Sequence, residues 1–244
     1  MKPIMKTKKN LARFVLILMT SGVMSIQADD AVPPASINAP DADAILRQMS
    51  DQLGAAQKFS FKARREVDSG QAAADGLPKN AKIAVTVQRP DKVVARSSSR
   101  DEVRLICADG QNLSLSDTKK NFYTTVPMAV SLDELPAKLA LIYGFTPPVA
   151  ELIISDLYKD LAWRAESITY AGSGTIKTGF LGLKRVKCHR LALSGKLADS
   201  ELWIAVGDQL PRRWLATLKR ATGDVHISFE FSNWHGFITG IREK

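Results

Sequence analysis

Two cysteines, three histidines and no long unbroken apolar run set the first limits on this 244-residue chain. His189, His226 and His235 form no H-x-x-H or H-E-x-x-H pair, and neither cysteine lies in a C-x-x-C. A transition-metal centre needs several such ligands to converge, so no metal site is predicted. A Gly-x-Ser-x-Gly nucleophile elbow is missing too. Gly174 and Gly179 have phosphate-loop spacing, but Phe180 stands where that loop needs lysine and a strand follows instead of a helix. The stretch is predicted to be a hairpin connection. Asp101-Glu102 and Asp133-Glu134 fall at a turn and in a first helical turn, where carboxylates solvate or cap. Neither a cofactor nor an enzymatic activity is expected. Hydrophobic content of 45% with 24% charged residues excludes a disordered, fibrous or polytopic membrane chain.

What is present begins with an address. Lys2, Lys6, Lys8, Lys9 and Arg13 precede or enter an apolar stretch that Ser21 and Gly22 interrupt, and Ala28 stands before Asp29. Residues 1–28 are therefore predicted to be a cleavable secretory signal and not a membrane anchor. No cysteine near the cut offers a site for lipid attachment, so the expected product is soluble and periplasmic. Residues 29–244 carry 29 cations and 25 acids, so the formal charge of +9 for the whole sequence falls to +4.

Residues 29–40, rich in Pro, Ala and Asp, read as a flexible lead-in. Asp41 then caps a helix carrying Ala42, Ile45, Leu46, Met49 and Leu53, with Gly54 predicted as its C-cap. From Phe59 the period becomes two, in Phe59-Phe61-Ala63, Ile83-Val85-Val87, Val103-Leu105-Cys107 and Leu113-Leu115. One-sided strands of this kind form an antiparallel sheet with one face in the core and one in water. Ser131 and Glu134 have capping-box spacing ahead of Leu135, Leu139 and Ile142. A second helix is predicted to run unbroken from Val149 through Leu152, Ile153 and Leu157 towards Trp163. Strands resume at 167–171, 186–193, 201–206, 214–218 and 225–234, with a β-bulge expected near His189. The count is ten or eleven strands and three helices in one domain, 41–244.

Trp203, Trp214, Phe229, Phe231 and Trp234, with Phe59 and Phe61, are predicted to line one concave face, as a packed core or as a lipophilic cavity. Cys107 and Cys188 both fall on apolar strand faces and are read with equal weight as a disulfide or as two free thiols. Residues 177–220 hold ten cations against Asp199, Glu201 and Asp208, a basic stretch suited to anionic headgroups or an acidic partner. Nucleic acid is not expected as a partner of an exported protein without an aromatic-basic pattern.

The ordered set FSFKA (from Phe59), VTVQRPDK (from Val85), DGQNLSLSD (from Asp109), NFYTTVP (from Asn121), PPVAELIISDLY, VKCHRLAL (from Val186), LPRRW and FSNW resembles the predicted periplasmic proteins called domain of unknown function 2092. That group is similar in turn to the lipoprotein-carrier (LolA/LolB-like) superfamily. The resemblance implies a mainly β fold with α (α+β): a half-open, curved antiparallel β-barrel with a helical lid, here at about 131–164. It also implies a non-enzymatic carrier for a lipid or other hydrophobic ligand. The expected cavity-lining residues are Phe59, Phe61, Val85, Val87, Leu139, Leu152, Trp203, Trp214, Phe229 and Phe231. The alternative is a protein-interaction or envelope-stress sensing module on the same fold, with an envelope protein as partner. A monomer is expected in either case.

Overall fold

The computed structural model describes residues 39–68, 80–179 and 183–237. The predicted signal segment, most of the lead-in and the tip of the glycine-rich hairpin lie outside these residues. A first meander runs through β1 (Lys58–Val67), β2 (Asn80–Gln88), β3 (Lys92–Ser98), β4 (Val103–Asp109), β5 (Asn112–Asp117) and β6 (Phe122–Pro127). A second runs through β7 (Ser167–Thr178), β8 (Lys184–Ser194), β9 (Ala198–Ala205), β10 (Pro211–Leu218) and β11 (Val225–His235). They join through β1 and β11 into one antiparallel sheet ordered β6-β5-β4-β3-β2-β1-β11-β10-β9-β8-β7. The sheet is curved and does not close, because its two edges, β6 and β7, do not pair. These edges are neighbours in sequence, and the segment between them supplies two of the three helices.

Alternation dictates the strand faces. In β1 the burial runs Phe59, Phe61, Ala63, Arg65, Val67, and in β2 it runs Ala81, Ile83, Val85, Val87, each separated by residues that meet solvent. Near the end of β11 the register shifts, with Asn233 in the left-handed region at φ 54°. The extra residue turns Trp234 inward, where it stacks on Phe61 at 4.6 Å between ring centroids and donates its indole N–H to the Pro211 carbonyl at 3.0 Å. The bulge expected near His189 lies instead on the partner strand. Tyr170 pairs with Leu191 and Gly172 with Arg190, so Ala171 is the extra residue in β7. Gly172, at φ 108°, fits the backbone that such an insertion requires.

Helix α1 (Ala42–Ala55) is capped by Asp41, whose side chain accepts from the N–H groups of Asp43 and Ala44 at 2.9 and 3.3 Å. Its buried stripe is Ala42, Ile45, Leu46, Met49 and Leu53. Gly54 lies within the helix and is no C-cap. Its role is close approach, since a Cβ there would run into the Ser155 carbonyl. Helix α2 (Leu135–Tyr143) starts behind the Ser131–Glu134 box, in which the Glu134 carboxylate accepts from the Ser131 N–H and hydroxyl. It ends at Gly144 in the left-handed conformation.

The long helix expected after Pro148 is two pieces. A single 3-10 turn at Ala150–Ile153 stops where Ile154 becomes extended, and α3 (Leu157–Arg164) starts afresh. Asp156 caps it by accepting from the Lys159 N–H at 2.9 Å, and that competing cap breaks the helix. Tyr158 clasps α3 to α1: its N–H donates to Ser50 Oγ at 2.9 Å and its hydroxyl to Asp43 at 2.6 Å. Arg89, in the β2–β3 turn, donates to the carbonyls of Leu53, Ile153 and Ile154 at 3.3, 2.9 and 3.2 Å. One guanidinium therefore pins the sheet, α1 and the helical segment together.

Candidate functional site

Register sorts the inner face of the sheet into rows. One row places Phe59, Val87, Val93, Ala108 and Leu113 side by side, and the three helices pack over that end. Further along the strands the rows turn polar: Ala63, Ile83, Ser97, Arg104 and Asp117 form one. Beside it runs Ala81, Arg65, Phe229, Trp214 and Leu202. Here the helices do not fill the curve, and a cavity of about 520 Å³ remains. That size lies within the roughly 300–1,000 Å³ of small-ligand sites.

The floor of the cavity is apolar, made by Val67, Ile83, Ala95, Ile106, Trp214 and Phe229. Its roof is the segment Phe145–Val149 after α2, with Glu151 and Arg164 beside it. Val149 holds φ 57°, a strained conformation for a β-branched residue.

Arg65, Glu102 and Arg104 interrupt the floor at one end. Arg104 is bracketed by Glu102 at 2.6 Å and Asp117 at 3.1 Å. Burial alone would raise the Asp117 carboxyl, but the hydrogen bond from the Lys120 N–H and the charge and hydrogen bond of Arg104 leave it below the usual carboxylate range. Arg65 is only 6% exposed. Burial pushes its guanidinium pKa down and nearby Arg104 pushes it further, against the pull of Glu102. An arginine so placed keeps its charge. Among the described residues, no cluster of three or more metal-ligating side chains occurs.

The residues expected to line a cavity divide three ways. Trp214 and Phe229 line it. Phe59, Phe61, Val87, Leu152 and Phe231 are buried in the packed core, and Val85 and Leu139 border a small void of about 30 Å³ between the sheet and α2. Trp203 is on the wrong face. Its neighbours Leu202 and Ile204 point inward, so parity sends it out, where Arg190 and Arg213 lie over its ring at 4.9 and 5.4 Å. Arg65 and Arg104 were not among the expected site residues. Parity alone pointed Arg65 inward, two positions after Ala63, but a charge there is ordinarily assigned to water; at Arg104 the expected apolar alternation Val103-Leu105-Cys107 pointed the other way, and the structure turns that face outward and brings Arg104 and Ile106 in.

Cys107 and Cys188 are free thiols, on strands far apart in the sheet order. Cys188 is fully buried near Asp208 and Arg212, and burial pushes its thiol up to about 11. Four of the ten cations in the stretch 177–220 are ion-paired: Arg190 with Glu201, Arg212 with Asp208, Arg213 with Glu230 and Lys219 with Asp199. Positive charge also gathers on the outer face, around a groove that Lys177 of this stretch shares with four cations from the first meander. Lys62, Arg64, Lys82, Arg96 and Lys177 border a groove of about 500 Å³ and enter no ion pair among the described residues.

Among the described residues no helix is long and apolar enough to cross a membrane. No curated protein matches the chain. Solved structures resemble it at low identity. The Pseudomonas aeruginosa MucA/MucB complex matches at 13% identity and TM-score 0.43, over 83% of this chain and 59% of that one. The chain thus spans less than two thirds of that protein. A LolA superfamily protein from Nitrosomonas europaea matches at 11% identity and TM-score 0.36, over 79% of this chain and 92% of that one. A DUF1329 family protein from Desulfovibrio piger matches at 10% identity and TM-score 0.34, over 82% and 93%. The sequence pattern of the DUF2092 family, described as a predicted periplasmic protein, covers residues 42–236, which includes every strand and helix above. The chain belongs to that family of predicted periplasmic proteins.

Proposed function

We propose that this protein is a non-enzymatic binding or carrier protein that holds a lipid or similar hydrophobic ligand in the cavity between its inner sheet face and the Phe145–Val149 segment. The observation that carries this reading is the cavity itself: about 520 Å³, floored by aliphatic and aromatic side chains and roofed by a single short segment. Each methylene moved from water into it contributes about 0.8 kcal/mol. Loading requires the roof to lift, and the left-handed Val149 marks where the backbone already stores strain.

The reading is tested by native mass spectrometry of protein isolated from the periplasm, followed by organic extraction. A discrete lipid mass is expected. A clean apo mass, together with failure of stripped protein to take up fatty acids or phospholipids, overturns it. Replacing half-buried Ala216 in the cavity wall with Phe is expected to abolish uptake while the protein stays folded.

A second reading, docking of an acidic envelope protein, is favoured by the groove bordered by Lys62, Arg64, Lys82, Arg96 and Lys177. These cations, without ion pairs among the described residues, would meet acidic side chains directly. Charge reversal at Lys62, Arg64 and Lys82 is expected to abolish such docking. Unchanged, salt-insensitive docking after that reversal removes this reading.

A further inference from the structure

Helix α2 is apolar on more than its inner side. Leu135 and Leu139 face the core and are buried. The helix then ends in Leu141, Ile142 and Tyr143, and Phe145 follows the Gly144 cap. These four side chains are 86%, 56%, 36% and 39% exposed. A helix that is hydrophobic all round is ordinarily buried on all sides. Among the described residues, only the Leu135–Leu139 side of α2 is covered.

Geometry and charge narrow what fits the other side. Successive helical residues are turned by about 100°, so Leu141, Ile142 and Tyr143 point in three directions around the axis. A rigid protein groove receives one stripe of a helix, at spacings of three and four residues. A fluid hydrocarbon phase receives all three side chains at once. The charges agree with it. From Leu135 to Ala150 the chain holds no acid and one cation, Lys138. Lys138 lies one turn before Leu141 and Ile142, on their side of the helix, and enters no ion pair among the described residues. An apolar segment with a lysine beside it and no carboxylate suits the interface of a bilayer with anionic headgroups. Tyr143 and Phe145, 6.4 Å between ring centroids, add aromatic rings of the kind that settle at headgroup depth. With nine residues α2 is too short to span a bilayer, so the fit is to its surface.

We propose that the end of α2, with Phe145, inserts shallowly into a phospholipid surface bearing anionic headgroups and brings the cavity there to exchange its ligand. Phe145 joins the two places, being part of both the exposed cluster and the cavity roof. This rests on the reading of the cavity as a ligand site and adds the surface at which that site loads.

Flotation of the mature protein with vesicles of phosphatidylethanolamine and phosphatidylglycerol tests the surface. Calorimetry of the stripped protein with monomeric dodecanoic acid tests the cavity separately. The wild type is expected to float. The double variant Leu141→Ser with Ile142→Ser is expected to lose at least about 10-fold in vesicle affinity, with dodecanoic acid binding unchanged. Lys138→Gln is expected to weaken binding several-fold on these vesicles and to leave binding to phosphatidylcholine vesicles as it is. A wild type that does not float overturns the proposal. Flotation retained by the double variant also overturns it, and assigns the contact to the cations of the outer face. Amide exchange slowed at 139–146 on the vesicles reads the same contact without a variant, and slowing only elsewhere overturns it. Flotation of a wild type that binds no dodecanoic acid overturns the cavity reading and leaves the membrane contact standing.

Discussion

Gly54 of α1 faces the carbonyl of Ser155 with no room for a Cβ between them. Two effects of adding a methyl group at this position therefore oppose each other. Helix propensity alone favours Ala over Gly by about 1 kcal/mol. Overpacking against fixed backbone costs about 1–3 kcal/mol. The contact is with a main-chain oxygen that cannot swing aside, so Gly54→Ala is expected to lower the denaturation midpoint. A raised midpoint would show that the segment after the 3-10 turn yields easily.

Arg89 is expected to behave as a fastener. Arg89→Met removes three hydrogen bonds to the carbonyls of Leu53, Ile153 and Ile154 while keeping much of the apolar stem. A loss of about 3 kcal/mol is expected. Hydrogen exchange should accelerate most across 150–164. Uniform acceleration over the sheet would assign Arg89 a general packing role instead.

The Arg104 cluster predicts a pH dependence with a definite sign. The native Asp117 carboxyl lies below its usual value of about 3.9, so its contribution is complete above pH ~4 and is lost as pH falls through the native value. Asp117→Asn is expected to destabilise the protein by about 1–3 kcal/mol at pH 7. The gap between variant and wild type should close in acid, as followed by urea denaturation at neutral pH and near pH 3. A gap that stays constant would mean the carboxylate charge is not what matters.

The two thiols should differ in reactivity. Cys188 is fully buried, with its thiol pushed up to about 11, and only the thiolate reacts. Cys107 is partly exposed on the outer face of β4. Alkylation at pH 8 followed by intact mass measurement is expected to show one label on the folded protein and two after unfolding. Equal labelling of both thiols in the folded state would show that β8 and its cover open readily.

Where a strand alternates cleanly, its inner face was readable from sequence: Ile83, Val85 and Val87 could face only one way. Trp203 was not readable, because Leu202, Trp203, Ile204 and Ala205 are all apolar and supply no parity. The break before α3 carried a signal, since Asp156 with Leu157 behind it is a capping pattern, but the apolar spacing across it looked continuous. Arg65 was hidden for the opposite reason. A charged residue between apolar ones is ordinarily assigned to water, and only the register with Phe229 and Trp214 shows it on the inner row.

Nine of the ten ladders join strands that follow one another in the chain. The tenth, β1 with β11, joins Ser60 to His235 and is the seam between two local meanders. Nearly all of the loop-closure entropy of folding therefore falls on one pairing. Each half can zip up through short hairpins, but the aromatic cluster of Phe61, Phe231 and Trp234 assembles only when that seam forms. The order of events is written into the topology: hairpins early, the seam late, and with it the wall that holds both Arg65 and Phe229.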